Sequence, residues 1–131
     1  MNGRREYVFD STALLALVFR ESGWEKVAEL SPRSTIGAVN LTEAIHKLIH
    51  RGSSAEVAKH LLHELELDVV DWSEDLAYRS AEFAMFGRTH GLSLGDRACL
   101  ALAKHLHATA VTSDRAWREI RGLGVPVLMF R

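Results

Sequence analysis

With 131 residues, the chain is long enough to form one domain with an ordinary hydrophobic core. Hydrophobic residues make up 47% of the sequence and charged residues 25%, which is typical of a globular protein, and no apolar run approaches the length of a membrane span. The formal net charge of -1 excludes an overall basic field for nucleic acid, although a near-neutral total can conceal an acidic pocket with a basic rim.

The first half of the chain alternates short β-type runs with helical patterns. Tyr7–Phe9 predicts a strand that ends at Asp10, and the apolar residues after it predict a helix to Phe19. The segment ESGWEKVAEL predicts a second helix, and residues 34–37 predict a second strand. VNLTEAIHKLIHRG predicts a third helix that stops at Gly52. Residues 55–64 predict a fourth helix, and residues 67–70 a third strand.

The second half continues this alternation. Residues 73–91 predict one long helix, and LSLGDRACLALAKHL predicts a helix that is apolar nearly all round. Residues 108–112 predict a strand, RAWREIRG a short helix, and residues 125–130 a last strand, whose Pro126 suits a sheet edge. The pattern predicts a single α/β domain over residues 1–131, with three α/β/α layers and a mainly parallel central sheet of four or five strands.

Four acidic residues stand at positions where such a fold places ligands. Asp10 and Asp114 follow strands directly, Asp96 opens the apolar helix, and Glu43 lies on the third helix. Ligands of open α/β sheets bind outside the carboxyl ends of the strands.

Each acid also has a purely structural interpretation. Asp10 and Asp114 could cap helices, Ser93 and Asp96 have the spacing of a capping box, and Glu43 could favour the positive end of its helix. By helical geometry Glu43 lies opposite the apolar stripe of its helix, so it faces either solvent or a cleft beside the sheet.

If the four acids converge, their mutual repulsion must be relieved by protons or by cations. A ligand set of oxygen atoms alone suits Mg²⁺ or Mn²⁺, which share their coordination with water and phosphate oxygens. Several arginines lie near these acids in the sequence, namely Arg97, Arg115, Arg118 and Arg121. They could contact phosphate groups, or they could simply lie on solvent-exposed helix faces.

Zinc and other phosphate chemistries fit the sequence less well. The histidine pairs at positions 46 and 50 and at 60 and 63 lack the glutamate of an H-E-x-x-H motif, and no cysteine pair completes a zinc site. No phosphate-binding glycine loop of the G-x-x-x-x-G-K-[ST] type occurs. Cys99, the only cysteine, is expected to be a small buried hydrophobic residue. One cysteine cannot form a disulfide framework, and MNGRRE lacks the hydrophobic segment of a signal peptide. We therefore expect a cytoplasmic protein.

Four segments together resemble the PIN-domain ribonucleases, most closely the VapC-type toxins of toxin–antitoxin pairs; they are VFDSTALLAL, VNLTEAIHKL, LSLGDRACLALA and AVTSDRAW. The resemblance spans almost the whole chain and implies a PIN-like fold. It identifies the acidic residues of the family with Asp10, Glu43, Asp96 and Asp114. It also implies that hydroxyl residues orient these acids, here Ser11 and Thr112 or Ser113.

The resemblance further implies the chemistry and the partners. It implies Mg²⁺- or Mn²⁺-dependent cleavage of RNA with one or two ions, with Glu43 as a metal ligand or as a general base. Arg97 and Arg115 become candidate RNA phosphate contacts. A homodimer and a cognate VapB-type antitoxin are expected, without a membrane partner. The alternative is a catalytically silent PIN-like module that binds RNA or protein.

Two residues depart from the family pattern. Gly95 precedes Asp96 where a small residue such as alanine is more usual, and we expect this change to be harmless. Trp117 stands where the family sometimes has a further acid, which leaves a fifth metal-binding carboxylate in doubt.

Overall fold

The computed structural model describes residues 5–131. Within this range the strands form one parallel sheet of five strands in the order β3-β2-β1-β4-β5. The strands are β1 Tyr7–Phe9, β2 Ser34–Gly37, β3 Val69–Val70, β4 Thr109–Thr112 and β5 Val127–Met129. The expectation about a signal peptide rests partly on residues 1–4, which lie outside the described residues.

Helices connect the parallel strands. The α-helices are α1 Ser11–Phe19, α2 Trp24–Leu30, α3 Ala38–His50, α4 Ala55–His63, α5 Glu74–Arg79, α6 Ala84–His90 and α7 Leu94–Leu106. Short 3₁₀ helices cover Ser31–Arg33, Ser80–Phe83 and Arg115–Glu119. Pro126 directly precedes β5, which is an edge strand, as predicted. No helix within residues 5–131 is both long and apolar enough to cross a membrane.

The central strands contribute to two separate hydrophobic clusters because successive side chains of a strand point to opposite faces of the sheet. In β1, Val8 packs into a cluster with α7, whereas Phe9 packs into the cluster formed with α1 to α4. Ala110 and Val111 of β4 divide in the same way. Two cores on the two faces of one parallel sheet confirm the predicted three-layer α/β fold.

The predicted long helix over residues 73–91 is wrong, because the segment divides into α5, a 3₁₀ turn and α6. At the junction the Ser80 hydroxyl donates a hydrogen bond of 2.7 Å to the carbonyl of Ala77, which competes with the α-helical ladder. The tighter turn places Phe83 in the core, where it is 1% exposed. Cys99 is fully buried in α7 and unpaired, as predicted.

The strand order determines where a site can form. After β1 the chain moves outward to β2 and β3, and it then returns to add β4 and β5 on the other side of β1. The crevice at such a reversal, outside the carboxyl ends of β1 and β4, is the usual ligand position in open α/β sheets. Asp10 follows β1 and Asp114 lies just beyond β4, so both are at this crevice.

Candidate active site

Asp10 is buried at the start of α1, and hydrogen bonds fix both of its carboxylate oxygens. The residue is only 4% exposed and caps α1, with Oδ1 accepting from the backbone N–H of Ala13 at 3.1 Å. The same oxygen accepts from the Thr12 hydroxyl at 2.6 Å, and Oδ2 accepts from the Thr112 hydroxyl at 2.5 Å. Asp10 is therefore both the helix cap that the structural interpretation expected and a fixed acid at the crevice.

Burial raises the pKa of Asp10 from its ordinary value of 3.8 to about 6. Removal from water is the main cause, and the nearby negative charge of Asp96 adds to it, while the bonds from Thr112, Thr12 and Ala13 oppose it. The ionised form is thus held at a free-energy cost at neutral pH. A positive charge at the crevice would offset that cost.

Glu43 lies against the first turn of α7. Its Oε1 accepts a hydrogen bond of 3.0 Å from Nδ2 of Asn40, and the same amide nitrogen donates to the carbonyl of Gly95 at 3.0 Å. A Cβ atom on Gly95 would lie only 2.1 to 2.4 Å from atoms of the Glu43 carboxylate. The carboxylate therefore lies against the N-terminal turn of α7, where the helix dipole favours a negative charge. The absence of a Cβ at Gly95 therefore makes room for the Glu43 carboxylate, which the sequence did not predict.

Asp96 forms the predicted capping box and also belongs to the crevice. Its Oδ2 accepts from the backbone N–H of Ser93 at 2.9 Å, and the Ser93 hydroxyl accepts from the Asp96 N–H at 3.1 Å. Partial burial raises the pKa of Asp96, and the charge of Asp114 raises it further, whereas Lys47 lowers it. The cap occupies Oδ2 and leaves Oδ1 available to a ligand.

Asp114 caps the 3₁₀ helix after β4 and is exposed. Its Oδ1 accepts from the N–H of Ala116 at 3.0 Å, and its own N–H donates to the Thr112 hydroxyl at 3.0 Å. Because that hydroxyl donates in turn to Asp10, a single threonine side chain joins the segments that carry two of the acids.

Electrostatic interactions connect the four acids. Asp96 interacts with both Asp10 and Asp114, and the charges of Asp10, Asp96 and Glu43 all raise the pKa of the buried Cys99, after the larger effect of its burial. Even so, in the part of the chain that the structure describes, no three His, Cys, Asp or Glu side chains are placed to hold a metal ion together. Mg²⁺ usually takes only one or two protein carboxylates and completes its shell with water and phosphate oxygens. The donor set therefore fits a hydrated hard cation better than a cation enclosed by protein.

The other predicted site residues have varied contacts. Ser11 is buried and accepts a hydrogen bond of 3.2 Å from Nζ of Lys47, and among residues 5–131 no carboxylate accepts a hydrogen bond from its hydroxyl. The backbone N–H of Ser113 donates to the Thr12 hydroxyl at 3.2 Å. Arg97 donates from Nε to the Ser93 carbonyl at 3.2 Å. Arg115 is exposed and borders a cleft of about 450 Å³.

Sequence patterns missed three residues at the crevice, which are Thr12, Asn40 and Lys47. Thr12 lies two residues after Asp10, a spacing at which local side-chain hydrogen bonds are common. Asn40 and Lys47 lie one turn before and one turn after Glu43 on α3, so helical spacing from Glu43 could have identified them. Trp117 is 1% exposed in the core and so adds no ligand to the crevice.

Comparisons with known proteins agree with this architecture. The family described as PIN domain matches residues 7–123. VapBC2 from Rickettsia felis bound to a promoter DNA fragment is similar with a TM-score of 0.72 and 16% identity, covering 94% of this chain and 97% of that one. DNA-bound VapBC from Salmonella typhimurium is similar with a TM-score of 0.71 and 17% identity, covering 97% of this chain and 99% of that one. A toxin–antitoxin complex from Klebsiella pneumoniae is similar with a TM-score of 0.69 and 19% identity, covering 95% of this chain and 98% of that one. These likenesses concern the fold, and no curated protein sequence matches the chain.

Proposed function

Because the chain belongs to the PIN domain family, we propose that it is a Mg²⁺- or Mn²⁺-dependent endoribonuclease and the toxin of a VapBC-type toxin–antitoxin pair. The observation that carries this proposal is the position of Asp10 and Asp114 at the sheet crevice, with Asp10 buried and under the electrostatic influence of Asp96. Within residues 5–131, none of the four acids forms an ion pair with a basic side chain. Such an excess of negative charge is costly for a structural role and useful for holding a cation.

The proposed chemistry is hydrolysis of an RNA phosphodiester bond. A bound divalent ion supplies charge neutralisation at the phosphate and lowers the pKa of an attacking water. Asp10, Asp96 and Asp114 would hold it, directly or through water. Thr12 and Thr112 keep Asp10 in place by donating to its two oxygens. Arg115, exposed beside the crevice, is a candidate contact for neighbouring phosphates, as is Arg97.

Glu43 serves in this proposal as a ligand or as the general base toward the attacking water. Asn40 fixes the orientation of the carboxylate through Oε1. The second oxygen, Oε2, stays free of protein hydrogen bonds within the described residues and can accept a proton from water. An acid with one oxygen held by a buried amide and the other without a hydrogen bond among the described residues suits either role.

The proposed partners are a VapB-type antitoxin and a second copy of the chain. Support for the antitoxin comes from the fold likeness to a toxin–antitoxin complex and to VapBC assemblies. In this chain, a groove of about 670 Å³ beside α3 and α4 has an apolar lining that includes Leu41, Ile45, Leu62 and Leu67, together with polar residues such as Lys59 and Glu64. Such a groove offers a surface for an amphipathic partner helix. A small antitoxin gene beside the coding sequence, and growth arrest that this gene reverses, would support the pairing.

The decisive experiment measures cleavage of single-stranded RNA by the purified protein in Mg²⁺, in Mn²⁺ and in a chelator. Asp10→Asn and Asp96→Asn should abolish metal-dependent cleavage while the far-UV circular dichroism spectrum stays that of the parent. Asp71→Asn is the matched control, since Asp71 is an exposed aspartate in the loop after β3. If both site variants cut RNA at the parental rate, the capping interpretation of these acids is correct and the catalytic one is wrong.

One observation favours the alternative, a catalytically silent RNA- or protein-binding module. No three acids are placed to hold an ion together in residues 5–131. Calorimetric titration with Mn²⁺ separates the two functions. A silent module should bind no Mn²⁺ in a manner that depends on Asp10 or Asp114, whereas the nuclease should lose Mn²⁺ binding in either Asn variant.

A further inference from the structure

A lysine lies beside the acidic cluster. Lys47 is on α3, one turn after Glu43, and is exposed to solvent. Its Nζ donates a hydrogen bond of 3.2 Å to the hydroxyl of Ser11, the buried residue that directly follows Asp10. The positive charge of Lys47 also acts on Asp96, whose pKa it lowers. The ammonium group thus contacts the residue after Asp10 and acts on Asp96, and its own helix carries Glu43.

This ammonium group is not neutralised by an ion pair. Among residues 5–131, no carboxylate lies within 4.0 Å of Nζ, and Ser11 is the one hydrogen-bond acceptor of Lys47. An ammonium carries three N–H donors, so two remain for another ligand. A neutral hydroxyl holds the side chain in position without competing strongly with an anion.

The position of the Lys47 ammonium beside the crevice indicates which anion it can bind. A phosphodiester that enters the crevice must approach several carboxylates, and each fixed positive charge there reduces the repulsion. A lysine ammonium is a compact point charge suited to a single phosphate oxygen. Arg97, another basic residue near the site, donates from Nε to the Ser93 carbonyl, on the side of the site away from α3.

We propose, on the basis of the function proposed above, that Lys47 binds a non-bridging oxygen of the RNA phosphate that is cut. The same ammonium provides one positive charge beside the acids. It therefore repels divalent ions that approach the carboxylates, and the site needs less metal charge than its four acids imply. Lys47 acts by binding and orienting the phosphate and takes no part in proton transfer.

The test compares Lys47→Met, which removes the charge and keeps most of the length, with Lys47→Arg, which keeps the charge. Lys26→Met is the matched control for net charge, because Lys26 is an exposed lysine on α2. The affinity for a labelled oligouridylate is measured by fluorescence anisotropy in chelator and as KM in Mg²⁺. The affinity for Mn²⁺ alone is measured by calorimetry. Melting temperatures verify that all variants are folded.

Lys47→Met should weaken RNA binding by roughly 10-fold or more relative to Lys26→Met, the usual loss for a hydrogen bond to a charged group. It should also tighten Mn²⁺ binding, because a positive charge that repels the ion is removed. Lys47→Arg should restore RNA binding to near the parental level.

RNA affinities of Lys47→Met and Lys26→Met that agree within about twofold would overturn the phosphate contact. Weaker Mn²⁺ binding by Lys47→Met would overturn the repulsion of divalent ions. The proposed nuclease function fails differently, through a parent protein that neither binds Mn²⁺ nor cuts RNA. In that case the anisotropy comparison in chelator still decides whether Lys47 binds phosphate.

Discussion

Replacing Asp10 with asparagine should make the metal-free protein more stable at alkaline pH, although it removes a central residue of the proposed site. The shift of the pKa of Asp10 from 3.8 to about 6 means that the folded state binds the proton more tightly than the unfolded chain. Folding stability from this group is therefore lost as the pH rises through that range. At 1.36 kcal/mol per pKa unit, the ionised side chain costs the folded state about 3 kcal/mol above pH 7.

Asparagine has no charge to bury and is as good an N-cap as aspartate, so it removes the cost and keeps the cap. The amide nitrogen of the asparagine cannot accept the hydrogen bond that the Thr112 hydroxyl donates to Oδ2 of Asp10. The loss of that hydrogen bond costs about 1 kcal/mol. The net gain is about 2 kcal/mol at pH 8. For a domain of this length, that gain corresponds to a rise of about 7 °C in Tm.

The assay is thermal unfolding followed by circular dichroism in chelator, at pH 8 and at pH 4, with Asp71→Asn as the control. At pH 4 the cost of the charge falls below about 1 kcal/mol, so the lost hydrogen bond cancels the gain and the two melting temperatures should agree. Saturating Mg²⁺ should stabilise the parent and close the gap at pH 8, because an ion that binds only the folded state adds stability. A Tm difference that does not change with pH would refute this reasoning, as would an Asp10→Asn protein that melts below the parent at pH 8.

Two further variants test the contacts around the acids. Gly95→Ala should fold with a stability within about 1 kcal/mol of the parent. Its Cβ must displace the Glu43 carboxylate, so we expect slower metal-dependent cleavage. An unchanged cleavage rate would show that the position of Glu43 is not critical. Thr112→Val removes the hydroxyl that donates to Oδ2 of Asp10, so the pKa of Asp10 should rise above its parental value. A carboxyl-carbon NMR titration measures this shift, and a pKa that stays the same or falls would contradict the role given to Thr112.

Much of the fold could be predicted from local patterns. Short apolar runs alternate with amphipathic helices, and this alternation alone leads to a parallel sheet with helices on both faces. The exception, residues 73–91, shows the limit of periodicity. The helical pattern continues through Ser80, but a local side-chain hydrogen bond and the burial of Phe83 tighten the turn there. Tertiary packing of this kind leaves no signal in the spacing of apolar residues.

The candidate site was partly predictable for a similar reason. Asp10 and Asp114 are recognisable because they follow strands whose carboxyl ends must meet at one edge of the sheet. The environment of Glu43 was not predictable, because it depends on the contact of α3 with α7 through Asn40 and Gly95. Lys47 was missed because a lysine on an exposed helix face is ordinary until the neighbouring segments are known. Whether these residues bind metal and RNA stays a prediction.

The hydrogen bond between Thr112 and Asp10 joins residues that are 102 positions apart in the chain. A polypeptide that is still being synthesised therefore exposes Asp10 long before the threonine that holds it in place has left the ribosome. Products of premature termination before β4 have the first acid and Glu43 but no partner strand to close the crevice. For a protein proposed to destroy RNA, this order of synthesis delays activity until β4 has been translated.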